Sequence, residues 1–319
     1  MSYQIVDFHC DLLSYLAHDR TRNDPLNPLS NCSLPQLREG GVILQTLAVF
    51  TETHPGSTQE GEKQLSCYQE MLKKYGTSCA PFSAFDPTKK ITHFVLAVEN
   101  ASALVEEKES LDVGFARLDA QDWLYVSLTW NEENRFGGGN NSHAGLKRDG
   151  EHFLDYLSGK KIAIDLSHTS AALAHDILNY IHKKGLDLLP MASHSNFRLI
   201  HDHRRNLPDA IAKEIFALGG VVGINFIRAF IGDKPEDFVR HFQHGLSLGG
   251  EEALCLGADF FGGIPLPEID HLKPFFQKNY ENSSCYPAFL ELLSSSFTPE
   301  QIQKIAHENA LSFLRRLKN

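Results

Sequence analysis

Near the start of the chain, His9-Cys10-Asp11 sets an imidazole and a carboxylate two residues apart. Side chains alternate along an extended strand, so His9 and Asp11 project to one side and Cys10 to the other, a two-toothed clip for a divalent cation. Such a pair means little alone in a chain with 16 histidines, because short motifs recur by chance. It gains weight because other metal-capable residues stand where apolar runs stop. Glu99 follows Phe94-Val95-Leu96-Ala97-Val98, His168 follows residues 162–167, His194 follows Pro190-Met191-Ala192-Ser193, and Asp259 follows Cys255-Leu256-Gly257-Ala258. Imidazole and carboxylate donors suit zinc or a similar divalent ion. Six such groups exceed the needs of one tetrahedral catalytic zinc, which predicts two metals sharing a carboxylate. For any single member a helix cap or a satisfied loop residue is the simpler reading; for all six together it is the poorer one.

A second group of residues runs from Ser193-His194-Ser195-Asn196 to His201-Asp202-His203-Arg204-Arg205-Asn206. A guanidinium fork just beyond a ligand strand suits a substrate carboxylate. Pairing with Asp202 or Asp209 at the surface is an equal alternative, and Asp209 could simply cap the helix that follows. The histidines at 175, 182, 241, 244 and 307 fall in amphipathic helical stretches and read as solvated or packing residues.

Eight short apolar runs could position these groups, at 4–9, 42–50, 93–99, 123–129, 161–167, 188–193, 220–226 and 253–259. Between them lie helix-like stretches such as 59–75, 171–184, 209–218 and 235–248. Strand then helix, repeated eight times, is the pattern of a (β/α)8 TIM barrel. An open doubly wound sheet shares that alternation. The barrel is preferred because it gathers the C-terminal ends of all its strands on one face, where the six metal-capable groups would meet. The polar segment 19–34 and the glycine-rich loop 136–141 fall outside the repeat and are expected over the mouth of the site. Thr298-Pro299-Glu300-Gln301 signals a closing helix, with Ile302, Ile305, Ala306, Leu311 and Leu314 as its buried stripe. A single domain spanning 1–319 is expected.

The 319 residues carry 30 Lys+Arg against 40 Asp+Glu, a net charge of −10. That balance disfavours nucleic-acid binding. No run of 18 apolar residues exists to cross a membrane, and the polar, acidic N-terminus does not read as a signal peptide. Six cysteines scattered singly fit neither a disulfide framework nor a cysteine zinc site, so a reducing cytoplasm is the expected compartment.

Taken in order, several motifs are similar to those of the membrane (renal) dipeptidase family. They are His9-x-Asp11, Val98-Glu99, Asp165-Leu166-Ser167-His168, Ser193-His194-Ser195, Arg204-Arg205-Asn206-Leu207-Pro208-Asp209, Gly257-Ala258-Asp259-Phe260 and the closing Glu308-Asn309-Ala310-Leu311. The resemblance covers essentially the whole chain. It implies a (β/α)8 TIM barrel of the metal-dependent hydrolase type. It also implies a zinc metallopeptidase of the amidohydrolase superfamily that hydrolyses dipeptides with a free C-terminal carboxylate, D-residues included, through a binuclear-metal-activated hydroxide. His9, Asp11 and Glu99 would bind one Zn2+, and Glu99, His168 and His194 the other, with Glu99 bridging. Asp259 would handle the proton and Arg205 would grip the substrate carboxylate. The family often forms homodimers.

Three positions depart from the family pattern. Trp130 stands where well-known members have a histidine that stabilises the tetrahedral intermediate, although a bacterial branch resembles this chain in its Leu-Thr-Trp-Asn. Losing one oxyanion donor costs about 10²–10³ in turnover, and Asn131 and His143 are candidate substitutes. Phe261 replaces a second aspartate, and Phe230 stands for a substrate-contacting tyrosine. These departures keep two alternatives open: another hydrolase of the superfamily, acting on an N-acyl amino acid, lactone or cyclic amide, and a metal-binding pseudoenzyme.

Overall fold

The computed structural model describes residues 3–267 and 269–318. Among the described residues, nine strands form one sheet: β1 (Ile5–Cys10), β2 (Val42–Phe50), β3 (Cys79–Pro81), β4 (Thr92–Glu99), β5 (Trp123–Ser127), β6 (Ala163–Asp165), β7 (Pro190–Met191), β8 (Val222–Ile224) and β9 (Leu254–Leu256). Every pairing is parallel, in the order β7-β6-β5-β4-β2-β1-β9-β8, with β3 off this path beside the start of β4. The ring closes through a parallel bridge between Ala192 and Val222, where Ala192 N donates to Val221 O at 2.9 Å and Gly223 N to Ala192 O at 2.8 Å. This is the expected (β/α)8 barrel, and all eight apolar runs supply its staves.

β2 and β4 are the long, fully paired side, in register from Leu44–His93 to Phe50–Glu99. β6 to β9 are shorter than the apolar runs suggested. The chain has left extended geometry by the polar residue just past the run at 161–167 and by the last residue of the run at 253–259: His168 and Asp259 adopt φ of 63° and 64°. Few residues other than glycine enter this left-handed region without a structural demand. The helices follow the amphipathic stretches closely, as Ser57–Lys74, Ala171–Lys184, Asp209–Ala217 and Pro235–Ser247.

Two apolar layers result. Outside, the helices cover the sheet; inside, Val6, Phe8, Leu44, Val95, Leu124, Met191, Val221 and Cys255 fill the barrel together with Ala310, Phe313, Leu314 and Leu317. The terminal helix therefore packs across the interior layer, with Phe8 and Phe313 edge to face at 6.0 Å. Its start carries the expected capping box of Thr298 and Gln301. A π-turn at Lys304–Glu308 then separates Pro299–Gln303 from Asn309–Lys318. The wider turn rotates the buried stripe, so Leu311 is only half-buried while Phe313 and Leu317 are buried.

Candidate metal centre

The candidate ligands reach the C-terminal face on five different strands. His9 is the penultimate residue of β1 and Asp11 follows that strand, Glu99 closes β4, and His168, His194 and Asp259 lie just beyond β6, β7 and β9. Glu99 sits at the middle. Its Oε2 lies 3.3 Å from His9 Nε2, and its Oε1 lies 3.0 Å from His168 Nε2 and 3.5 Å from His194 Nε2. Asp259 Oδ1 is 3.6 Å from His9 Nε2. Three overlapping triplets could each hold an ion: His9-Asp11-Glu99, Glu99-His168-His194 and His9-His194-Asp259. The sequence-derived set is thus brought together, Asp11 being half-buried and the rest buried.

The ring nitrogens facing away from this cluster are fixed from behind. His9 Nδ1 meets Tyr125 Oη at 2.7 Å, and that hydroxyl donates to Phe8 O at 3.1 Å. His168 Nδ1 meets Asn131 Oδ1 at 3.0 Å, and His194 Nδ1 meets Ser193 Oγ at 2.6 Å. An acceptor behind each Nδ1 leaves the Nε2 lone pairs pointing into the cluster, the tautomer a metal requires. His168 Nε2 and His194 Nε2 then face each other at 3.0 Å. Lone pairs that close repel unless a cation or a proton lies beside them. His9 Nε2 and Asp11 Oδ1 are buried without a hydrogen bond, a costly state for polar atoms that have no ligand to satisfy. The residues fit divalent cations by this test.

Electrostatics point the same way. Burial pushes the carboxyls of Glu99, Asp11 and Asp259 up, with the Arg205 guanidinium partly offsetting this at Glu99 and the facing Glu99 carboxylate adding to it at Asp11. Burial also drives His168 and His194 well below the usual imidazole range. A cluster of carboxyls that hold protons and imidazoles that shed them is one where bound cations would replace the protons.

Beneath the cluster, buried Asp7 ties the ligand strands together. Its Oδ1 accepts from His9 N at 2.8 Å and Gln45 Nε2 at 2.9 Å, and its Oδ2 from Ala258 N at 3.0 Å and from the Tyr286 hydroxyl. Asn225 Nδ2 donates to Asp259 Oδ2 at 2.8 Å and so orients that carboxylate. Arg205 is buried, not paired at the surface with Asp202 or Asp209. Its Nη1 donates to Ser195 Oγ at 2.9 Å and its Nη2 to His194 O at 3.0 Å, while Nε has no partner. Asp209 occupies the first turn of its helix and meets His244 Nε2 at 2.9 Å; the N-cap is Pro208.

The departures from the family pattern also find places. Trp130 is half-buried against Phe50, ring centroids 4.9 Å apart, and lies 5.9 Å from the His168 ring. Asn131 is engaged behind His168, and His143 is exposed on its loop. The Phe230 ring lies 5.9 Å from the Arg205 guanidinium and 4.8 Å from His203. Residues 136–139 are buried, so the glycine-rich loop is packed into the face and does not arch over it. A Cβ on Gly139 would meet Trp130 O at 2.1 Å. Sequence reasoning passed over Tyr125, Asn225 and the structural work of Asp165 and Ser193; the last two flank ligand histidines in the motifs already singled out.

The profile of the membrane dipeptidase family, peptidase family M19, matches residues 1–319. The chain belongs to that family. Among relatives of this M19 member, an uncharacterized dipeptidase of Schizosaccharomyces pombe is 29% identical over 199 residues, 59% of this chain and 45% of that protein. An uncharacterized protein from the pqqA 5' region of Klebsiella pneumoniae is 32% identical over 195 residues, 56% of this chain and 68% of that protein. The match to the yeast protein therefore spans less than half of its length. Two solved structures share the fold. Dipeptidase AC, a metallopeptidase, superposes with a TM-score of 0.84 at 19% identity over 99% of each chain. A Rhodobacter sphaeroides metallopeptidase liganded with a phosphinate mimic of the dipeptide L-Ala-D-Ala gives 0.83 at 18% identity, covering 99% of this chain and 100% of that one. Among the described residues, no helix is long and apolar enough to cross a membrane.

Proposed function

We propose that this M19 member is a metal-dependent dipeptidase that hydrolyses dipeptides with a free C-terminal carboxylate, C-terminal D-residues included, with two zinc ions at the cluster. One observation carries this reading: three imidazole Nε2 atoms, from His9, His168 and His194, converge on Glu99, with the unsatisfied buried atoms His9 Nε2 and Asp11 Oδ1 beside them. His9, Asp11 and Glu99 would hold one ion and Glu99, His168 and His194 the other. Bound there, divalent cations lower the pKa of water toward neutrality and polarise a peptide carbonyl.

The chain's own residues do the rest. Asp259, oriented by Asn225, takes a proton from the attacking water and returns it to the departing amine, which lets the C–N bond break. Burial raises its affinity for that proton, which suits the role. Arg205 offers its free Nε to the substrate carboxylate, held by Ser195 Oγ and His194 O on its other nitrogens. Phe230 flanks that guanidinium and Asn131 steadies His168. A D-residue at the C-terminal position is included because a fold neighbour is liganded with an L-Ala-D-Ala mimic. The chain acts over 1–319 as one unit in this reading, because the terminal helix completes the barrel core. All six cysteines are free and buried, which supports a cytoplasmic setting, and a homodimer remains part of the proposal.

The reading is tested by metal analysis of protein purified without added ions, followed by a panel of dipeptides and N-acyl amino acids. Two equivalents of metal with dipeptide hydrolysis are expected. No metal would overturn the reading, and turnover of N-acyl substrates alone would favour the other hydrolase class. Trp130, packed between Phe50 and His168, is the observation behind the second reading, a pseudoenzyme. Metal-loaded protein that binds a dipeptide by calorimetry without cleaving it would establish that one.

A further inference from the structure

Asp165 is fully buried at the end of β6, and its carboxylate accepts four hydrogen bonds. Oδ1 takes the backbone N–H groups of Ser167, at 3.1 Å, and Ser193, at 2.7 Å. Oδ2 takes the hydroxyls of Ser127, at 2.7 Å, and Ser193, at 2.8 Å. An ionised carboxylate only accepts. Of the two oxygen acceptors within reach of the single Ser193 hydroxyl hydrogen, the Asp165 carboxylate at 2.8 Å is closer and stronger than Ser167 Oγ at 3.4 Å, so the hydrogen goes to Asp165. Ser193 Oγ also lies 2.6 Å from His194 Nδ1, and with its hydrogen spent it can only accept there. His194 must then carry its proton on Nδ1 and present a bare Nε2 to Glu99 and His168.

We propose that Asp165 is a positioning residue that acts through the Ser193 hydroxyl to fix His194 as the Nδ1–H tautomer. The inference rests on the reading of His194 as a metal ligand, since only that role needs a bare Nε2. Among the three histidines of the cluster it singles out His194, whose backing hydroxyl donates to a carboxylate; the Tyr125 hydroxyl behind His9 donates to a backbone carbonyl, and Asn131 backs His168 directly.

The near-isosteric Asp165→Asn reverses the wiring. The amide oxygen stays on the two backbone N–H groups, which turns the NH2 toward Ser127 and Ser193. Ser193 Oγ then accepts from the amide, its hydrogen swings to His194 Nδ1, and the imidazole must move its proton to Nε2. The metal-facing atom becomes a donor. Ser127→Ala is the companion variant, because it removes one hydroxyl from Asp165 and leaves the relay to His194 intact.

The test uses full-length protein with 15N-labelled histidine, stripped of metal, with the His194 signal identified from its loss in His194→Gln. Wild type and Ser127→Ala are expected as Nδ1–H, and Asp165→Asn as Nε2–H. Zinc affinity by chelator competition is expected to fall about 10- to 100-fold in Asp165→Asn and to hold in Ser127→Ala. Three results would overturn the proposal: an Nδ1–H signal in Asp165→Asn, an unchanged zinc affinity despite the switched tautomer, or an equal loss of affinity in Ser127→Ala. Wild-type protein that takes up no metal would instead sink the dipeptidase reading, while the tautomer signal still decides the wiring.

Discussion

Asp259 and Glu99 are both buried carboxylates, yet their neighbours give them different work. Glu99 is met by three imidazoles, whereas Asp259 has one histidine nitrogen at 3.6 Å and an amide donor from Asn225. Asp259→Asn is expected to lower kcat by about 10²–10⁴, the range for a lost acid–base group, while metal content by atomic absorption stays at the wild-type value. A variant with full turnover would contradict the assignment. The clustered candidate ligands were legible in the sequence because each is a polar residue at the end of an apolar run. Their supports were not. A serine or tyrosine in a strand has many ordinary uses, and nothing in its type announces that its hydroxyl sits behind an imidazole. Arg205 stood out in the sequence as a candidate carboxylate fork with surface pairing as an equal alternative; its burial was not legible, since it depends on Ser195 and the carbonyl of His194, contacts no spacing rule reveals.

Strand identity was readable from apolar runs, and strand length was not. His168, just past the run at 161–167, and Asp259, the last residue of the run at 253–259, leave extended geometry as they turn inward, His168 to Glu99 and Asp259 to His9. Likewise, β3 is too short to leave a pattern, and the π-turn at Lys304–Glu308 keeps helical composition throughout. Glycines record where elements touch. Gly223 and Gly257 both back onto Ser193 O, where an added Cβ would sit 2.1 and 1.9 Å away. That obstacle is backbone and cannot swing aside. Gly257→Ala is expected to lower unfolding free energy by about 1–3 kcal/mol in urea titrations and to weaken metal uptake, because Ser193 adjoins His194. Wild-type stability in that variant would mean the strands are farther apart than described.

Across the whole molecule, the cost of gathering so many ionisable groups in one cavity shows in how stability varies with pH. Burial raises Glu99 from 4.5 to about 8 in the metal-free fold, and it moves Asp11 and Asp259 in the same direction. It moves His168 and His194 the opposite way, but unfolded histidines are half deprotonated at about pH 6.5 and nearly fully so by about pH 7.5, so their effect fades over that range. Between about pH 7 and 8 the folded state therefore holds more protons than the unfolded chain, and stability falls as pH rises. Chelator-treated protein should show a falling Tm across that window, and zinc should abolish the fall by taking the place of those protons. A flat profile without metal would contradict the burial of Glu99 as an acid.

The barrel closes unevenly around this cavity. His9 and Glu99 rise from β1, β2 and β4, which are paired over much of their length, whereas β7 and β8 meet at the Ala192–Val222 bridge. Hydrogen bonds between staves resist shear in proportion to their number, so one side of the cavity is stiff and the other can breathe. His194 and Arg205 stand on the compliant side. If Arg205 holds the substrate carboxylate as proposed, a dipeptide would be grasped against an unyielding wall by a jaw with some play, and differences in size would be tolerated at the residue beside Arg205.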